Sequence, residues 1–159
     1  SPSSEPQREV VAAAMLSAAA NTAYNEGVSL RLTGPYDAVA IENALRTLVD
    51  RHDALRTTFT PELDTLCVTT RNDFRLERID AASTPASARE QVVGAAWQEL
   101  VTTPMDLLRG PLFRARLLQF SPVDAELVFP THVGMNRPFS FAAVLAVGDF
   151  GSASCWDRV

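Results

Sequence analysis

Two cysteines and two histidines among 159 residues leave this chain little material for metal or thiol chemistry. Cys67 and Cys155 stand far apart, with no C-x-x-C pair and no histidine-rich companion, so neither a zinc site nor a disulfide framework is expected and both read as unpaired thiols. Gly-rich phosphate loops and a G-x-S-x-G elbow are also lacking, which removes most kinases, dehydrogenases and serine hydrolases. There is no basic run, and 14 basic against 19 acidic residues give a net charge of -5, so phosphate-driven nucleic-acid binding has no electrostatic footprint. No apolar stretch approaches the roughly 18 to 20 residues that span a bilayer, and the Ala-rich segment Val10–Ala20 has no basic flank because Glu5 and Glu9 offset Arg8. A cytoplasmic protein with no nucleic-acid and no membrane partner is expected. What is present, 47% hydrophobic and 21% charged residues, describes one globular domain large enough to bury a core.

The Ser- and Pro-containing lead-in Ser1–Pro6 reads as loosely held, and Gln7–Asn21, rich in helix formers, as a first helix. Val28–Leu32 alternates apolar and polar residues, the period of a half-buried strand, and Gly34-Pro35 ends it. Asp37 can cap a helix over about Ala38–His52, in which Ile41, Leu45, Leu48, Val49 and the following Leu55 fall close to one face. Thr57–Thr60 and Thr65–Thr70 read as short strands joined by a turn, with Arg75–Ile79 as a third. Ser87 and Glu90 have capping-box spacing, and Val93, Ala96, Trp97 and Leu100 follow at i, i+3, i+4 and i+7, so a second long helix runs to about Thr102, before Pro104. After Gly110-Pro111, Phe113–Leu117 and Glu126–Phe129 read as a hairpin around Ser121–Asp124, with Arg114 and Arg116 on a solvated face. An irregular stretch Pro130–Pro138 and a buried helix Ser140–Val147 complete the order. The predicted fold class is α+β, a sandwich with helices on one face of a mostly antiparallel sheet.

Three stretches are more specific than their patterns. Arg51-His52-Asp53-Ala54-Leu55-Arg56-Thr57-Thr58-Phe59 resembles the R-H-x-x-L-R-T-x-F motif of nonribosomal peptide synthetase condensation domains. Pro104–Ala115 is similar to that family's p-f-D-L-x-x-G-P-L-x-R segment, with Asp106 as its Asp, and Tyr24-Asn25 matches its Y-N entry to the first strand. The resemblance spans about Gln7–Val147 and implies one lobe, the N-terminal one, of a chloramphenicol-acetyltransferase-like fold, so that residues 1–159 are expected to form a single truncated condensation-like domain. Such domains join an upstream acyl or peptidyl thioester to a downstream amine, both carried on the phosphopantetheine arms of carrier proteins. The family's H-H-x-x-x-D-G signature falls on Thr131–Arg137. Its second His, the one implicated in catalysis, is His132; the first has become Thr131, the Asp Asn136 and the Gly Arg137. In the family that Asp pairs with an Arg, for which Arg56 is the match here, and Asn136 can accept a hydrogen bond without carrying charge.

The resemblance therefore implies His132 as the catalytic candidate, provided the second lobe is supplied, and Arg51, Arg56, Asn136 and Asp106 as structural motif positions. His52, at a helix end where an imidazolium suits the macrodipole, reads as structural. No bound cofactor and no metal are expected, only phosphopantetheine-tethered substrates if the chain is active. A noncatalytic interaction or scaffold module of a peptide-synthetase system is the first expectation. The alternatives are half of a two-chain condensation enzyme and a piece of a larger synthetase. Expected partners are a peptidyl carrier protein or other synthetase domains, a separate C-terminal condensation lobe, or a second copy meeting through Phe139, Phe141, Phe150 and Trp156.

Overall fold

The computed structural model describes residues 2–132; Asn136, Cys155, the aromatic positions from Phe139 onward and the expected Ser140–Val147 helix lie outside them. The first expected helix is two. In α1, Glu5–Ala14, Ser4 and Gln7 form a capping box, Ser4 N donating to Gln7 Oε1 at 2.9 Å and Gln7 N to Ser4 Oγ at 3.4 Å. The helix ends before Ser17, whose Oγ accepts from Ala20 N at 3.0 Å and starts α2, Ala18–Thr22. Alanine offers too narrow an apolar stripe to hold one continuous helix down, and a serine that bonds the backbone in extended conformation starts a new one.

Strand β1, Asn25–Thr33, is longer than its alternating centre suggested. Helix α3, Ala38–Arg51, follows the expected Asp37 cap, with Val39 N donating to Asp37 Oδ1 at 2.8 Å and Ile41, Leu45, Leu48 and Val49 buried. A 3-10 turn, Asp53–Arg56, leads to β2, Thr57–Phe59, which pairs antiparallel with β3, Leu66–Val68, as a separate two-stranded sheet. Cys67 lies on β3 as an exposed free thiol. Strand β4, Glu77–Asp80, precedes α4, Arg89–Thr102. The Ser87–Glu90 capping box does not form: Ser87 sits inside a 3-10 turn, Ala86–Ala88, whose own carbonyls and that of Pro85 receive the entering N–H groups, so no side-chain cap is needed. Strands β5, Arg116–Ser121, and β6, Asp124–His132, form the hairpin, turning at Pro122-Val123.

The main sheet runs β1-β6-β5-β4, antiparallel except for the β4–β5 pair, with β6 inside and nine residues long. Pro130 and Thr131, expected to be irregular, are in β6. Regular pairing with β5 stops at Arg116↔Val128, and beyond it β6 continues against β1, a position where one edge is less demanding and a proline is tolerated.

The α+β class and the mostly antiparallel sheet are as predicted, but the layering is different, because the two long helices pack on opposite faces. Leu117, Leu127 and Phe129 meet Ile41, Leu45 and Leu48 of α3, whereas their neighbours Leu118 and Val128 meet Ala96 and Leu100 of α4. Both faces being covered, the face assigned to solvent is also wrong. Arg116 is held there by Glu77 at 2.8 Å and Glu99 at 2.9 Å, with 11% of its side chain exposed, and Arg114 donates to Thr103 O at 2.6 Å at the end of α4. Arg116 in turn holds the Glu99 carboxyl below its ordinary value, by hydrogen bond first and by charge second. The sequence pattern could not separate a solvated arginine face from one roofed by a helix carrying glutamate.

Trp97, the expected core residue of α4, packs over Gly27 of β1. A Cβ at Gly27 would lie 2.9 Å from Val101 Cγ1 and 3.0 Å from Trp97 Nε1, so the helix rests on bare backbone here. Gly27→Ala is expected to cost about 1 to 3 kcal/mol by overpacking, read in urea with tryptophan emission as the probe. A variant as stable as the parent would show that α4 slides freely on the sheet.

Candidate functional site

His132 ends β6 and is 1% exposed. Across the sheet it stands opposite Asn25, and the ring of Tyr24 lies 5.9 Å from its imidazole, tilted 45°. The Y-N pair at the start of β1 therefore flanks the histidine of the last strand. Burial pushes the imidazole below its ordinary value of 6.5, against a smaller upward influence from the Asn21 backbone, so His132 is a neutral base at pH 7. Asn25 also ties the site to α4, its Nδ2 donating to Val101 O at 2.8 Å and Thr103 O at 3.3 Å.

The two longer motifs meet each other. Phe59 N donates to Leu107 O at 2.9 Å, and the Phe59 side chain packs with Met105, Leu107 and Leu112 and with Val11 and Ala14 of α1. Asp106 shapes its own segment: its Oδ1 accepts from Leu108 N at 3.0 Å and Arg109 N at 2.9 Å, and its carbonyl accepts from Gly110 N at 2.7 Å. Gly110 has φ of +74°, a conformation that favours glycine. Leu112 and Phe113 follow, and Phe113 bridges to Thr131, so the second motif ends beside the position preceding the histidine.

Arg56 is fully engaged. It donates to Val49 O at 2.9 Å, Asp50 O at 3.0 Å, Asp53 Oδ1 at 2.6 Å and Thr69 O, tying the end of α3 to the segment after β3. Its side chain is 13% exposed and that of Asp53 is 70% exposed. Arg51 is exposed on the last turn of α3, and His52 is its C-cap, donating N–H to Leu48 O and accepting from Leu55 N. Because Arg56 already has four acceptors, Asn136→Asp is expected to leave the melting temperature unchanged. A clear rise in a thermal scan would instead mean that the restored acid reaches an arginine still short of charge.

A cavity of about 410 Å³ lies between the two motifs, lined among others by Leu55, Arg56, Thr58, Phe74, Arg109 and Phe113. It is on the α3 side of the sheet, where Phe113, Phe129 and, by alternation along β6, Thr131 point; His132 points to the other side. Arg56 and His132 are thus placed on opposite sides of β6. Sequence reasoning missed Asn21, a buried side chain that bonds the second motif at Met105. The available signal was a polar residue closing an alanine helix just before Tyr24-Asn25. Among the described residues no group of His, Cys, Asp and Glu could hold a metal ion, and no helix is long and apolar enough to cross a membrane.

Residues 1–132 match the family described as Condensation domain. The chain belongs to the condensation domain family. It is 35% identical over 115 residues to a linear gramicidin synthase of Brevibacillus parabrevis, covering 70% of this chain and 2% of that protein. To bacitracin synthase 1 of Bacillus licheniformis it is 34% identical over 114 residues, 69% of this chain and 2% of that one. Among solved structures, the starter condensation domain of rhizomide synthetase RzmA superposes with a TM-score of 0.77 at 20% identity, over 91% of this chain and 35% of that one. The SgcC5 protein of Streptomyces globisporus gives 0.69 at 26% identity, over 78% and 28%. The chain thus spans about a third of the solved condensation domain, and the family resemblance read in the sequence is borne out by the match over residues 1–132.

Proposed function

We propose that this chain is the N-terminal lobe of a condensation domain in a nonribosomal peptide biosynthesis system, noncatalytic by itself and acting in protein interaction with a carrier protein or other synthetase domains. The observation that carries this reading is a family match over residues 1–132 in a chain that covers about a third of the solved condensation domain. Amide formation needs two thioester-bearing carriers held in register, and one sheet with a helix on each side supplies one wall for them.

The burial of His132 favours a second reading, in which a C-terminal lobe on another chain completes the enzyme. In that assembly the acceptor amine attacks the donor thioester carbonyl, a C–N bond forms, the C–S bond breaks, and the phosphopantetheine sulfur leaves as thiolate. His132 takes the proton shed by the amine and returns it to the thiolate. On this reading Arg56 and Asp106 act as structural residues, Arg56 tying the end of α3 to the segment after β3 and Asp106 shaping its own turn, while Arg51 and Asn136 keep the structural role the resemblance implies.

Calorimetric titration of the chain with a peptidyl carrier protein bearing phosphopantetheine tests the interaction. Saturable binding that survives His132→Ala supports it. No binding to carriers or to adjoining synthetase domains would remove it.

A further inference from the structure

Asn21 is buried, 8% exposed, at the end of α2, a helix of five residues with little apolar surface of its own. Its carboxamide pairs with both backbone groups of Met105: Nδ2 donates to Met105 O at 2.9 Å and Oδ1 accepts from Met105 N at 2.8 Å. This two-point pairing of an amide with a backbone fixes distance and orientation together, and it joins segments 84 residues apart in the chain. Three residues later the same segment presents Tyr24 to the imidazole, and one further on Asn25 stands opposite His132 in the sheet. The other end of the pairing, Met105, packs with Phe59, Leu107 and Leu112. The Asn21 carboxamide is therefore a direct tie between α2, which leads into Tyr24, and the second motif, beside the bonds of Asn25 to the end of α4.

We propose that Asn21 is the positioning residue of the His132 site: its carboxamide locks α2 onto the Met105 segment and so fixes the wall against which the imidazole packs. What the positioning is for rests on reading His132 as the base of amide formation; that the positioning occurs does not. Among the described residues the wall includes the Asn21 backbone, the ring of Tyr24 and Asn25 on β1. Releasing α2 opens it to water, and since burial is the larger influence on the imidazole, its titration moves up toward the ordinary histidine value.

The test is an NMR titration of the full chain with labelled histidine, which carries only the signals of His52 and His132. In Asn21→Ala the His132 titration is expected to shift upward and its exchange with solvent to quicken. Asn21→Ser, able to keep one of the two bonds, is expected to shift it in the same direction by less, and it decides the matter if the alanine variant does not fold. Asn72→Ala is the control, because Asn72 is another asparagine side chain that ties a helix, its Nδ2 donating to Arg46 O at 2.9 Å and Asp50 Oδ1 at 2.8 Å, both on α3 and outside the His132 wall. That variant is expected to lose stability and leave His132 where it was. A folded Asn21 variant whose His132 titration superimposes on the parent, or an equal shift in Asn72→Ala, would overturn the proposal. Neither outcome depends on product formation or carrier binding, so loss of the functional reading leaves this result standing, and the reverse holds as well.

Discussion

Supplied with one carrier loaded as donor and another as acceptor, the isolated chain is expected to form no peptide. Holding two reactants in line and excluding water is worth roughly 7 to 11 kcal/mol of barrier, and on the proposed reading the described residues supply one wall of the site, with His132 on it. Addition of a separately produced C-terminal condensation lobe is expected to raise the yield by several powers of ten if the two-chain reading holds, and mass spectrometry of the carrier-bound product reads it. His132→Ala then abolishes the gain while leaving the carrier interaction intact. Product from the chain alone that disappears in His132→Ala would show that one lobe suffices and would end the noncatalytic reading.

Phe59→Ala is expected to be the most damaging single change outside the main sheet. The side chain is 2% exposed at the centre of a second core, where α1, the Met105–Leu112 segment and β2 meet. Its removal costs about 3 to 5 kcal/mol, the usual range for a buried phenylalanine. For a chain of this length that is a fall of roughly 10 °C or more in Tm. The neighbouring Thr58, half-buried on the opposite side of the same short strand, provides the comparison, with a loss below about 1 kcal/mol expected for Thr58→Ala. If chemical denaturation gave the two variants equal losses, the second core would be contributing little and the junction between the motifs would rest on the Phe59–Leu107 backbone bond alone.

Periodicity served well where one face of an element decides its fate. Helix α3 was placed to within a residue, since its apolar positions are spaced for one face and Asp37 supplies a cap that nothing else competes for. The alanine-rich start was misjudged for the converse reason: with no broad apolar face, the local bond of Ser17 controls the chain. Arg114 and Arg116 show a different gap. Alternation correctly put them on one face of the sheet, but whether that face is wet depends on α4, whose Glu99 makes a buried arginine tolerable. For the site, the motifs named Tyr24, Asn25, Asp106 and His132, and the structure brings Tyr24 and Asn25 to the histidine. Asn21 escaped notice because a clamp onto backbone carries no sequence signature at its far end; Met105 contributes N–H and C=O, which every residue but proline has.

The strand order also sets a schedule for folding. Strand β1 is made early, yet its partner in the sheet is β6, so that Asn25 waits for His132 and Thr33 for Asp124. Until more than a hundred residues have emerged from the ribosome, β1 has two open edges, and Val28, Leu30 and Leu32 have no finished core to enter. The β5–β6 hairpin, being local, is expected to form quickly and then to offer β1 its place, so that among the described residues an early strand pairs with a late one. Synthesis therefore passes through a long interval in which an apolar strand edge is available to strangers. A chain halted short of His132 would hold β1 without most or all of its partner in the sheet, an apolar edge open to pairing with another chain.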